Sequence, residues 1–98
     1  MRRIVRVTDA FFEQLDAQLG ADRGPHGEPS ATDFPVLELS PIVERFASGF
    51  DDLPEVVVGL PAARVLIASG ILVRGVAVYG LLVTDDTIDL VGVELDLM

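Results

Sequence analysis

The chain has 98 residues, half of them hydrophobic, and its 16 acidic residues against seven arginines give a formal net charge of -9 at pH 7. This length supports a single core, so we expect one domain over residues 1–98. The absence of cysteine excludes disulfides, thiolate metal sites and cysteine nucleophiles, and the acidic balance argues against autonomous DNA binding, which depends on basic side chains that neutralise phosphates.

The apolar runs are too short to span a bilayer, because Gly70, Arg74 and Gly80 interrupt the longest of them. No signal-like apolar stretch follows the opening Met-Arg-Arg, so we expect a soluble cytoplasmic protein. The mean hydropathy of +0.47 is high for a lone soluble domain. It indicates that another chain, a partner or a second copy, hides some apolar surface.

The first third of the chain predicts a strand over residues 3–7 and a helix over residues 9–19. Arg2, Arg3 and Arg6 are typical of a solubilised edge strand, and Thr8 or Asp9 can cap the helix by accepting from its free N–H groups. Helical spacing places four apolar residues on one stripe that we expect to pack in the core: Phe11, Phe12, Leu15 and Leu19.

Residues 20–33 are rich in glycine and proline and predict a flexible surface loop. The loop holds the single histidine, His26, which has no second histidine to join it as a metal ligand. Residues 34–39 predict an extended segment. Ser40 as cap and Pro41 at the first helical position then predict a second helix that ends near Gly49, with an apolar stripe of Ile42, Val43, Phe46 and Phe50.

The last third, from Arg64 to Leu97, predicts three successive strands with turns at Ser69-Gly70 and at residues 84–87. The middle strand, residues 71–83, is apolar on both faces, which is typical of a central strand with helices on one face and a partner on the other. In the third strand, Val91, Val93, Leu95 and Leu97 should face the core. The fold class is therefore α+β, with two helices packed on one face of an antiparallel sheet.

This layout resembles the RelE/ParE superfamily, the toxins of bacterial type II toxin–antitoxin modules. The resemblance lies in the opening strand and helix, RIVRVTDAFFEQLDAQL, and in the closing meander, ARVLIASGILVRGVAVYGLLVTDDTIDLVGVELDL. It implies a toxin neutralised by a cognate antitoxin. The implied activity is ribosome-dependent cleavage of mRNA or poisoning of gyrase, and the acidic balance favours a protein target.

The resemblance implies catalytic roles for Arg64, Arg74 and Tyr79, since an endoribonuclease needs cations for phosphate and a general acid or base. The same residues have a structural interpretation, in which Arg64 and Arg74 pair with Asp89 or Glu94 and Tyr79 packs in the core. The alternative function is a non-catalytic module that dimerises or binds a protein through its sheet. No cofactor and no metal site is indicated by either interpretation.

Overall fold

The computed structural model describes residues 2–19, 35, 38–69 and 74–96, and within them it confirms the α+β class. The elements follow one another as β1 (Ile4–Val7), α1 (Asp9–Gln18), α2 (Leu39–Gly49), a 3₁₀ turn (Phe50–Asp52), β2 (Ala63–Ala68), β3 (Gly75–Thr84) and β4 (Thr87–Asp96).

The described strands form one sheet in the order β1-β4-β3-β2. The three closing strands pair antiparallel with their chain neighbours, as the sequence predicts. The prediction of a fully antiparallel sheet is wrong, however, because β1 lies parallel to β4, with Ile4 opposite Thr87 and Val7 opposite Leu90. A parallel pair needs a long crossover connection, and here the crossover is all of the chain between β1 and β4.

The core lies between the two helices and one face of the sheet, which we call the inner face. Its largest fully buried side chains are Phe11, Leu15, Phe46, Phe50, Val78, Ile88, Leu90 and Val93. Gly80 allows one of the closest contacts, since a Cβ added there would overlap the ring of Phe46. The second helix can approach the sheet this closely only because β3 carries no side chain at that point.

The first helix begins as predicted, with Thr8 as its cap. The Phe11 N–H donates to Thr8 Oγ1 at 3.4 Å, and the same hydroxyl donates to the Leu90 carbonyl at 2.7 Å, which ties the start of α1 to β4. The predicted stripe is wrong at Phe12, which is 38% exposed while Phe11 is fully buried. Phe12 instead packs edge-to-face on the Phe11 ring, with centroids 5.7 Å apart.

The second helix begins before its predicted start. Leu39 is its first residue and Glu38 its cap position, where no side chain makes a capping hydrogen bond, so Ser40 is not the cap. Pro41 is tolerated in the first turn because helical N–H groups there have no intrahelical acceptor. The extended segment predicted for residues 34–39 is wrong at Pro35 and Leu39, which are both helical.

A β-bulge in β4 shifts which residues face the core. Gly92 lies opposite Tyr79 and Leu90 opposite Gly80, so Val91 between them has no partner on β3. The prediction that Val91 faces the core with Val93 is therefore wrong, because one extra residue reverses the alternation of the strand. The inward residues of β4 are Ile88 and Leu90 before the bulge, and Val93 and Leu95 after it.

Some of the sequence-based predictions concern residues that the structure does not describe. The loop over residues 20–33 with His26, Gly70 of the first predicted turn, and Leu97 lie outside the described residues. The second predicted turn is confirmed, with Asp85 and Asp86 joining β3 to β4.

Candidate functional site

The sheet has a second face, opposite the helices, which we call the outer face. No described element covers it. Its centre is an apolar strip formed by the outward residues of β2 and β3, which are Val65, Ile67, Ala77, Tyr79, Leu81 and Val83. Ile67 is 74% exposed. The register places Ile67 opposite Ala77 and Val65 opposite Tyr79, so the strip is continuous across both strands.

Charged side chains border the apolar strip on the β4 side. Arg6 donates to both carboxylate oxygens of Asp89, from Nε at 2.6 Å and from a terminal nitrogen at 2.9 Å, so the two side chains form a bidentate ion pair. Glu94 and Asp96 lie further along β4 and are exposed. Within the described part of the chain neither of these two carboxylates forms an ion pair.

Tyr79 connects the apolar strip to this acidic border. Its side chain is half-buried and lies opposite Gly92, so that Glu94 is two positions further along the neighbouring strand on the same face. Burial raises the pKa of the Tyr79 hydroxyl above its ordinary value, and the negative charge and hydrogen bond of Glu94 raise it further. The phenol therefore stays protonated at neutral pH and can act as a hydrogen-bond donor beside Glu94.

A short apolar turn extends the sheet at the β2 edge. The Val56 N–H donates to Ala63 O and the Val65 N–H to Pro54 O, both at 3.0 Å, so residues 54–56 run antiparallel to the start of β2. The chain then reverses direction in a turn in which the Leu60 N–H donates a hydrogen bond to Val57 O. Gly59 in this turn has a φ of 92°, a backbone conformation that favours glycine. The turn presents Val56, Val57, Val58 and Leu60 to solvent, with Val58 95% exposed.

The guanidinium of Arg64 is engaged with the backbone on the inner side of the sheet. It donates to the carbonyls of Pro61 at 2.7 Å, Leu53 at 2.7 Å and Asp51 at 3.1 Å. It also lies 5.5 Å from the centroid of the Phe50 ring. These contacts join the 3₁₀ turn and the apolar turn to β2, which is a structural role.

The three residues predicted as catalytic are not brought together. Arg64 pairs in register with Gly80, whose face points at the helices, whereas Tyr79 lies on the outer face. Arg74 precedes β3 and is six residues from Gly80, which is about 20 Å along a strand. The predicted ion pairs are also wrong, because Asp89 pairs with Arg6 and neither Arg64 nor Arg74 pairs with Glu94.

Two glutamines that the sequence analysis does not single out close the free edge of β4. Beyond Leu90 this edge has no neighbouring strand among the described residues. Gln14 donates to Val91 O at 3.1 Å and accepts from the Val93 N–H at 3.0 Å. Gln18 donates to Val93 O at 2.7 Å and accepts from the Leu95 N–H at 2.8 Å. The side-chain amides thus replace a strand, and their four-residue spacing on α1 is the only sequence signal of this arrangement.

Two of the concave regions on the described surface adjoin the sheet, and each has at least one carboxylate in its lining. On the inner side, a cavity of about 410 Å³ lies beside the first turns of α2 and is lined by Glu38, Pro41, Ile42, Arg45, Leu66, Ala68, Ser69 and Val76. On the outer face, a hollow of about 300 Å³ lies at the end of the apolar strip and is lined by Ile67, Gly75, Val76, Ala77, Glu94, Leu95 and Asp96.

The described residues contain no group of three acidic or histidine side chains placed to hold a metal ion. Nor does the described part of the chain include a helix long and apolar enough to cross a membrane. No family model matches the chain, and no similar protein is found among curated proteins or solved structures.

Proposed function

We propose that the protein is a binding module that docks a basic partner protein on the outer face of its sheet. The observation that supports this proposal is the apolar strip, whose most exposed side chain, Ile67, is 74% exposed. Both described helices pack on the inner face, and sheets with one bare apolar face are uncommon in proteins that act alone.

The size of the exposed apolar surface suits a protein partner. The strip and the apolar turn beside it together hold seven of the nine exposed large apolar side chains of the described residues, which are Val56, Val57, Val58, Leu60, Ile67, Leu81 and Val83. A large apolar surface of this kind is typical of a protein interaction site. The patch includes one aromatic residue, Tyr79, in a half-buried setting, and aromatic residues of this kind are enriched among those that dominate binding energy.

Charge favours a basic partner over a second copy of the chain. Two copies would each bring a formal net charge of -9 to the complex, which opposes their association. A partner with an apolar stripe bordered by arginine or lysine would meet both the strip and its acidic border.

The binding proposal can be tested with a single substitution in the strip. Proteins retained from a bacterial lysate by the immobilised wild-type chain, but not by Ile67→Asp, would be identified and then titrated in purified form by calorimetry. We expect Ile67→Asp to weaken binding at least about tenfold, since it places a charge in an apolar contact.

A matched control adds the same charge elsewhere. Ala17 is exposed on α1, away from the outer face, so Ala17→Asp should bind the partner as the wild type does. Equal binding of the purified partner by Ile67→Asp, or an equal loss with Ala17→Asp, would contradict docking on the outer face. Circular dichroism would check that both variants are folded.

A second proposal makes the module a toxin of the RelE/ParE type, with its antitoxin as the partner. The order of elements favours it: a strand, a helical segment and a closing three-strand meander. Its action would be on gyrase or another protein target, or on mRNA at the ribosome. The test is tightly controlled expression of the chain alone in bacteria, where a toxin should arrest growth.

The choice of variants for this test follows from the geometry. Arg64→Ala would remove the backbone contacts of the guanidinium and could abolish arrest by unfolding the protein. Arg74→Ala and Tyr79→Phe keep these contacts and therefore test the predicted catalytic roles more directly. Normal growth of cells that accumulate folded wild-type protein would contradict the toxin proposal and leave the binding module.

A further inference from the structure

The hollow on the outer face results from a row of unequal side chains across three strands. The register places Ile67, Ala77 and Glu94 side by side, with Gly75 opposite Asp96 two residues further along. The central positions, Gly75 and Ala77, are small, whereas the flanking side chains of β2 and β4 are long. The result is a depression of about 300 Å³ with an apolar floor and an acidic wall.

The acidic wall is well placed to hold a cation. Glu94 and Asp96 lie on the same face of β4, about 7 Å apart along the strand. Both are exposed, and neither forms an ion pair within the described part of the chain. An ionised carboxylate offers about four lone-pair positions, so Glu94 and Asp96 can each accept hydrogen bonds from a donor that enters the hollow.

We propose that this hollow binds one arginine side chain of the partner protein. This inference rests on the proposed function and names the kind of residue that anchors the partner. The methylene groups of the arginine would lie on Ile67 and Ala77, and the guanidinium would reach Glu94 and Asp96. Arginine fits better than lysine, because its planar fork donates in several directions and can bridge two separate carboxylates, whereas an ammonium group is a compact point charge.

The test uses capped amino acids as probes, so that it does not depend on the partner's identity. Amide chemical shifts of the ¹⁵N-labelled chain would be followed during titration with N-acetyl-arginine methylamide, and separately with the matching lysine and norleucine compounds. We expect weak, saturable shifts centred on Ala77, Glu94 and Asp96. The arginine probe should bind most tightly and the norleucine probe should give no localised shift.

Two double variants with equal changes in charge separate this site from general attraction to an acidic protein. Glu94→Gln with Asp96→Asn removes the wall, and should weaken arginine binding about tenfold or more, as expected for lost charge-assisted hydrogen bonds. Glu13→Gln with Asp16→Asn removes two exposed charges from α1 and should leave binding unchanged. Raising the salt concentration to about 0.5 M should also weaken binding.

Three results would overturn the inference: no localised shift with the arginine probe, equal binding by the Glu94/Asp96 double variant, or an equal loss in the Glu13/Asp16 control. These results are distinct from failure of the proposed function. If a partner still depends on Ile67 while the Glu94/Asp96 variant binds it normally, the docking surface stands and the arginine site is wrong.

Discussion

At the scale of single residues, Arg64 is held by the backbone rather than free for chemistry. Its three carbonyl acceptors belong to the 3₁₀ turn, the segment after it and the apolar turn. We expect Arg64→Lys to lower the free energy of unfolding by about 1–3 kcal/mol, because a compact ammonium group cannot donate to all three separate carbonyls as the guanidinium does. Urea unfolding followed by circular dichroism measures the change.

Arg74→Lys is the control for this prediction. Arg74 is exposed, and exposed substitutions usually change stability by less than about 0.5 kcal/mol. If Arg64→Lys were equally neutral, the three carbonyl contacts would not contribute to stability in solution. The catalytic role predicted for Arg64 would then regain support.

Tyr79 gives a prediction that can be read directly, because it is the only tyrosine and the chain has no tryptophan. Absorbance near 295 nm therefore reports its ionisation alone. We expect a pKa above the ordinary tyrosine value of about 10, caused first by burial and then by Glu94. Glu94→Gln should lower this pKa without fully restoring the ordinary value, since burial remains.

The ionisation of Tyr79 also makes the stability of the fold depend on pH. The folded state holds the Tyr79 proton more tightly than the unfolded chain does, so this contribution is complete below the unfolded pKa of about 10 and is lost as pH rises through the folded pKa. Unfolding midpoints should thus fall at alkaline pH, and less steeply in Tyr79→Phe. An ordinary pKa in the wild type would mean that the hydroxyl is solvated and that neither burial nor Glu94 affects its ionisation.

At the scale of elements, α1 protects the free edge of β4 through Gln14 and Gln18. We expect the double variant Gln14→Ala, Gln18→Ala to lose about 1–3 kcal/mol of stability, because four strand groups lose their partners and some are partly buried. We also expect the variant to associate, since an uncovered strand edge is a template for pairing with another chain. Sedimentation velocity measures the association.

Glu13→Ala with Asp16→Ala is the matched control for the edge, because both residues are exposed on the same helix. It makes the same number of changes to alanine and leaves the glutamine contacts in place. A double glutamine variant that stays monomeric and as stable as this control would show that water satisfies the edge equally well.

Periodicity predicts the elements of this fold but not their neighbours. The β-branched and aliphatic run of residues 71–83 predicts a strand, which the structure describes as β3 from Gly75 onward. The helical spacing of Ile42, Phe46 and Phe50 predicts α2. The bulge at Val91 and the parallel contact of β1 with β4 depend on packing between distant segments. No local pattern records such packing.

Part of the candidate site is likewise predictable from the sequence, and part depends on the pairing of strands. The apolar outward positions of β3 predict a covered second face, and the structure places Ile67 and Tyr79 on that face. The catalytic roles of Arg64, Arg74 and Tyr79 are implied by the resemblance to a family instead. In the structure Arg64 lies on the inner side of the sheet and Tyr79 on the outer face. Whether Arg64 points inward is set by the register of β2 against β3, which the sequence of β2 alone does not fix.

At the scale of the whole molecule, charge and apolar surface act against each other. A formal net charge of -9 keeps copies apart, while the apolar strip favours contact between them. We expect a monomer at pH 7 in low salt and increasing reversible self-association as salt approaches about 1 M, where repulsion is screened within about 3 Å. Ile67→Asp should remain monomeric throughout in sedimentation equilibrium.

A stable dimer of the wild type at low salt would contradict this expectation and would make a second copy the favoured occupant of the outer face. Salt-dependent association that Ile67→Asp does not affect would instead locate the contact on another surface, such as the turn that carries Val58.

The parallel contact between β1 and β4 has a consequence for how the chain is made. Arg6 and Asp89, which join the two strands, are 83 residues apart in sequence. During translation β1 and α1 emerge early, yet the strand that covers Phe11 and Leu15 is the last of the described strands to leave the ribosome. The apolar face of the first helix must therefore stay uncovered until β4 has been synthesised, and during that interval chaperones and proteases have their best access to it.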